Sequence, residues 1–206
     1  MVLSYGLSIQ FTDIMWKSMV KKLYPETIDY QRYFARFSSR VGATTFVVIF
    51  FGSNIVKHLG WRTGALATPM IMAMMGAPFF FMILRSSGQL DDPSRLAVIV
   101  SVGAIQSMLS KATKNALFDP TTQMAYIPLD EESKVKGKAA IDVLGSRFGK
   151  SGGALLQQVL VLHFGTIAAA APVVTGVLYT VLGAWLTAAA RLSVLFEAKT
   201  ADAKTA

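Results

Sequence analysis

A chain of 206 residues in which 53% are hydrophobic and only 16% charged is not composed like a water-soluble domain, where about a quarter of residues carry charge. With no cysteine, disulfide frameworks and thiolate metal sites are excluded, and His58 and His163 are too far apart in the chain to suggest a metal site. The formal net charge of +8 suits an anionic partner, either a phosphate-bearing ligand or lipid headgroups, and equally suits basic loops that anchor helices at a membrane surface.

The charges gather between six apolar runs, which predicts an all-α polytopic membrane protein. The first run, Val2 to about Val20, is interrupted by Asp13 and Lys17. Its apolar part, Val2 to Trp16, reaches only about 22 Å, so it reads as the back two-thirds of a spanning helix. Residues 21–40 read as an interfacial loop with a short amphipathic helix, with Tyr24, Tyr30, Tyr33, Phe34 and Phe37 at headgroup level. The second run is Val41 to Val56, closed by a tight basic turn at 57–62. The third, from about Thr63 to Leu84, holds Pro69, Pro78 and a cluster of methionines that reads as soft packing surface.

After a polar loop at 85–95 comes the fourth run, Leu96 to Phe118. Lys111 and Lys114 lie three apart on one face near its end. Both can snorkel, or serve an anion. Residues 119–138 read as a long polar loop. The fifth run, 139–161, carries Lys150 inside it, and a charge at membrane depth costs about 2.5–3.5 kcal/mol on insertion scales. The sixth runs from about Thr166 to Leu195. Residues 1–196 thus read as one six-helix bundle and 197–206 as a disordered polar tail. Basic residues divide evenly between the two sides, so they set no orientation. The N-terminal residues show neither a signal peptide nor an organelle transit sequence.

The stretch from Gly145 to Ser151 tempts a phosphate-loop assignment, but three residues separate its glycines where four are required, and no strand precedes it. Helical spacing explains it better. Gly145, Gly149 and Gly153 recur every fourth residue, a ridge against which another helix can pack closely. Arg147 and Lys150 share a neighbouring face and offer cations to a cavity, with snorkelling or pairing to Asp142 or Asp13 as the alternative. Asp13, embedded among apolar residues, suggests a charge pair with a lysine elsewhere in the bundle, which substrate opens and closes.

Three segments carry a resemblance: Ser110 through Asp119-Pro120, Met124 through Asp142, and Gly149-Lys-Ser-Gly-Gly-Ala-Leu155. With Tyr5-Gly-Leu-Ser-Ile9 and Trp16-Lys-Ser18, they resemble the nucleotide transporter family, the ATP/ADP antiporters of plastid envelopes and obligate intracellular bacteria. The resemblance covers nearly the whole chain. It implies the C-terminal six-helix bundle of a major-facilitator-type fold whose two bundles surround a nucleotide cavity. It also implies a binding pair at Asp13, where the family carries a glutamate, and Lys150. The substrate-facing set is then Lys150, Asp13, Arg147, Lys111, Lys114 and Asp119. Thr122-Gln123 and Asn115 depart from the family pattern. The implied activity is ATP/ADP exchange in a plastid inner envelope or thylakoid, with no cofactor and no enzymatic role, and it needs a second bundle from a partner chain or a second copy. The alternative is a transport-inactive accessory subunit of a larger organellar membrane complex.

Overall fold

The computed structural model describes residues 1–86, 90, 92–127, 129 and 131–205. The side chains of residues 53–56, 59, 131, 133, 142–144, 146–150, 153, 199 and 201–205 lie outside that description. Helix α1, Val2–Leu23, is followed by the long helical tract α2, Thr27–Arg85. Then come α3 (Pro93–Thr113), α4 (Asp119–Met124), α5 (Glu131–Lys138), α6 (Ser146–Phe164) and α7 (Ala171–Thr205). Wide π-helical turns at Lys114–Phe118 and Ala139–Gly145 join α3 to α4 and α5 to α6.

Gly60 divides α2. Its φ of 81° and ψ of 171° belong to a region that glycine alone enters cheaply, and the helix reverses there. The first half runs parallel to α3: the Thr44 hydroxyl reaches Met108, and Gly52 lies against Ala116. The second half runs back along it. Trp61 Nε1 donates to the Thr121 carbonyl (2.8 Å), the Thr68 hydroxyl meets the Thr113 carbonyl, and Phe79 packs on Gly103. The tract is therefore a helical hairpin, and the basic turn expected at 57–62 falls at its bend.

Helix α1 packs against α3, α6 and α7. It is antiparallel to α3, with Trp16 Nε1 donating to the Val100 carbonyl (3.0 Å), Asp13 opposite Ser107, and Tyr5 stacked on Phe118. Its buried positions Ser8, Thr12, Trp16 and Val20, with Phe11, Met15 and Met19, follow the four-residue helical step. Trp16 also packs on Phe37 (4.4 Å between centroids) and Phe34 (5.3 Å), which ties the start of α2 to the core.

Among the described residues, four helical stretches are long and apolar enough to cross a membrane: Thr27–Gly52, Gly60–Arg85, Pro93–Met124 and Ala171–Ala198. The first of these buries almost none of its surface. Phe46, Val47, Ile49, Phe50 and Phe51 are exposed, as expected where lipid or another bundle replaces water. Residues 21–40, expected to be largely loop, are instead mostly the start of α2, since Thr27 onward already continues into the apolar run. The polar stretch 119–138 contains two short helices, α4 and α5. The segment expected as a disordered tail is helical to Thr205. Extending an existing α7 needs no new nucleus, and its alanines and lysines favour helix.

Candidate functional site

Asp13 stands on α1 at the edge of a cavity of about 520 Å³ between α1 and the α3–α4 junction. Val2, Tyr5, Gly6, Ile9 and Gln10 form the α1 wall; Lys114, Phe118, Asp119, Thr122 and Gln123 form the other. The Asp13 side chain is 14% exposed. One carboxylate oxygen, Oδ2, accepts from Lys111 Nζ at 3.1 Å, and the other, Oδ1, accepts from the Ser107 hydroxyl at 3.1 Å. Lys17, one turn along α1, holds its Nζ 3.8 Å from Oδ2. A carboxylate at this depth is thus held from two helices by one close cation, one hydroxyl and a second cation in waiting. The aspartate, though a methylene shorter than glutamate, reaches Lys111 without help.

Lys111 is placed by more than its partner. Its Nζ lies 5.5 Å from the centre of the Phe37 ring, an attractive position for a cation over an aromatic face. Ser107 and Lys111 are one helical turn apart, so α3 presents both to the same carboxylate.

Lys114 and Asp119 form a second pair, Nζ to Oδ2 at 2.5 Å. In a regular α-helix, residues five apart diverge on the surface. Here the Asp119 N–H donates to the Lys114 carbonyl, the i to i+5 bond of a π turn, and that wider turn brings the two side chains together. Pro120 supplies the reason. It has no N–H for the Ala116 carbonyl, and its ring crowds that carbonyl, so a regular α-helical turn is disfavoured there. The Thr122 hydroxyl, on the same cavity, is buried without a hydrogen-bond partner among the described residues.

Of the residues that sequence singles out, Asp13, Lys114 and Asp119 line this one cavity, and Lys111 stands directly behind Asp13. Arg147 and Lys150 fall on α6, with side chains outside the described set, as is Asp142. Gly145 meets α1: a methyl added there would come 3.3 Å from Val2 Cγ1. Among the described residues, the next glycine facing α1 is Gly152, beside Leu7. Gly145 and Gly152 are seven residues apart, two near-complete turns, so they share a face. Gly149 and Gly153 lie outside the described side chains. Sequence reasoning passed over Ser107 and Lys17 as partners of Asp13. Their spacings, one turn from Lys111 and one turn from Asp13, were the available signal. Among the described residues, no group of histidine and carboxylate side chains is arranged to hold a metal.

Residues 1–196 match the family described as TLC ATP/ADP transporter. The chain belongs to that family. It is 45% identical, over 98% of its length, to ADP,ATP carrier protein 1 of Chlamydia trachomatis serovar D, covering 39% of that protein. It is 41% identical to the plastidic ATP/ADP-transporter of Solanum tuberosum, with 93% of this chain and 31% of that one aligned. Against ADP,ATP carrier protein 3 of Rickettsia conorii the identity is 42%, over 78% of this chain and 32% of the relative. The chain therefore spans roughly a third to two-fifths of these TLC family relatives. No solved structure matches it. The family resemblance read from Ser110–Pro120, Met124–Asp142 and Gly149–Leu155 is thereby established, and the family is one of transporters, not enzymes.

Proposed function

We propose that this chain supplies one bundle of a membrane exchanger for ATP and ADP, with the cavity between α1 and the α3–α4 junction as its share of the nucleotide path. In this reading the chain crosses the membrane six times, by α1, the two halves of α2, α3 with α4, α6 and α7. A second bundle, from a partner or another copy, completes a major-facilitator-type fold. Alternating access then comes from one bundle rocking against the other around the central cavity. Exchange is driven by the two nucleotide gradients and uses no cofactor. The names of the relatives, all ADP,ATP carriers or ATP/ADP transporters, favour this over a transport-inactive accessory subunit. Since the relatives come from plants and from bacteria, the plastid inner envelope is one setting and a bacterial membrane the other.

The observation that carries the reading is the shared carboxylate of Asp13. An approaching phosphate competes with Asp13 for Lys111. As Lys111 turns to the phosphate, Lys17 needs to move little to take over Oδ2, so Asp13 is not left as an unpaired charge. The Lys114–Asp119 pair, held less tightly by solvent exclusion, opens in the same way at the cavity mouth. Arg147 and Lys150, in the first and second turns of α6, complete the cationic set of this proposal.

The test is exchange by the two-bundle protein reconstituted in liposomes loaded with unlabelled nucleotide. External labelled ADP should enter only when ATP or ADP is inside, and Lys111→Ala or Lys150→Ala should abolish entry. Absence of exchange by the correctly paired protein overturns the reading.

A further inference from the structure

A second cavity, of about 410 Å³, opens between the start of α2 and the face of α3 turned away from the core. Arg36 and Arg40 stand on its wall, one helical turn apart, so α2 sends both guanidinium groups to the same space. Tyr24 and Tyr33, stacked at 5.2 Å, line it as well, with Ile105 and Met108 as its apolar residues.

Charge distinguishes this cavity from the first. There, Lys114 is already met by Asp119, and Lys111, behind it, by Asp13. Here no carboxylate lines the wall, and among the described residues neither arginine has an ion-pair partner. Neither tyrosine hydroxyl has a hydrogen-bond partner there either. Arg40 directly precedes the apolar run that begins at Val41, so its charge sits at the margin of the low-dielectric region, where an uncompensated cation calls for an anion. Two guanidinium forks and two phenol donors around one space, beside apolar Ile105 and Met108, match the oxygens of a phosphate group better than the single oxygen pair of a carboxylate.

We propose that Arg36 and Arg40, with the hydroxyls of Tyr24 and Tyr33, form a second phosphate-binding site, separate from the Asp13 cavity. The phosphate comes from a soluble nucleotide or orthophosphate, or from an anionic lipid headgroup with its acyl chains toward Ile105 and Met108. The site is not isolated. Phe37, part of its wall, carries Lys111 Nζ over its ring, so an occupant that displaces Phe37 also displaces the cation that holds Asp13. The site stands on its own geometry and does not depend on the exchange reading.

Binding to the purified protein in uncharged detergent is measured with four probes: ADP, orthophosphate, phosphatidylglycerol, and phosphatidylcholine as the lipid control. The double variant Arg36→Gln/Arg40→Gln should weaken one phosphate probe about twenty-fivefold, each surface charge contributing about fivefold. Arg36→Lys/Arg40→Lys, which keeps charge but loses the fork, should fall between. Loss confined to phosphatidylglycerol assigns the phosphate to lipid; loss of ADP or orthophosphate assigns it to a soluble ligand. Both outcomes support the site. Lys114→Ala, which lines the first cavity and not the second, should leave this binding in place. If the glutamine pair binds all four probes as the unaltered protein does, with an unchanged melting temperature, the site is overturned. If binding is lost in Lys114→Ala and kept in the glutamine pair, the second site falls while the exchange reading stands.

Discussion

Asp13 has three partners where one would neutralise it, and each is separable by substitution. Lys111→Ala removes the 3.1 Å contact but leaves Ser107 and Lys17, so the stability cost should be about 2 kcal/mol, below that of a fully buried pair. Asp13→Asn should cost a similar amount, and the double variant should cost less than the sum. A thermal-melt cycle in detergent checks this; strict additivity would mean that the two side chains do not act as a pair. Gly103 gives a sharper case. A methyl there would come 2.4 Å from Trp16 Cδ1 and 2.7 Å from Phe79 Cε2, and Trp16 is locked by its bond to Val100. Gly103→Ala should therefore destabilise by about 1–3 kcal/mol, read as a clear drop in melting temperature. Gly52→Ala, with its nearest atom at 3.0 Å, should be milder unless the Ala116 carbonyl cannot yield.

At the scale of the element, the junction at Lys114–Phe118 shows how a single imino acid shapes a site. Pro120→Ala restores a donor for the Ala116 carbonyl and permits a regular helix from α3 through α4. Lys114 and Asp119 would then separate. The expected result is unchanged or higher thermal stability together with weaker nucleotide binding, measured by melting and by binding on the same preparation. Stability and binding falling together would show that the π turn is structural only. The Asp-Pro dipeptide was visible in the sequence, but its consequence was not, because a wide turn needs a neighbour such as Gly52 to make room for the displaced carbonyl. In contrast, α1 was underrated. Its Asp13, Lys17, Lys21 and Lys22 lower its mean hydropathy, so it reads as a fragment of a span, yet it packs against three other helices, α3, α6 and α7. Hydropathy averages over all faces, whereas packing uses only one.

For the whole molecule, the absence of cysteine makes site-directed labelling free of background. Single cysteines at Phe50, Phe81 and Val98, all exposed and apolar, should react with a membrane-confined reagent and resist an aqueous maleimide. A cysteine at Gln10 or Gln123 should behave in the opposite way and be protected by ADP if the first cavity holds nucleotide. Aqueous labelling at Phe50 would show that this face of α2 meets neither lipid nor a second bundle.

Composition and the six apolar runs were enough to define an all-helical membrane protein, because the bilayer demands long uncharged helices and leaves that demand written along the chain. The motifs around Ser110–Pro120 and Met124–Asp142 were enough to name its family. Which charges meet was decided only in three dimensions. Asp13 and Lys111 are separated by 98 residues, and a salt bridge depends on distances of a few ångströms that arise when α1 and α3 pack antiparallel. The pairing of Lys114 with Asp119, and the freedom of Arg36 and Arg40 from any such acid among the described residues, were decided there too: helical spacing can put a charge on a face, but only the neighbouring helix determines what that face meets.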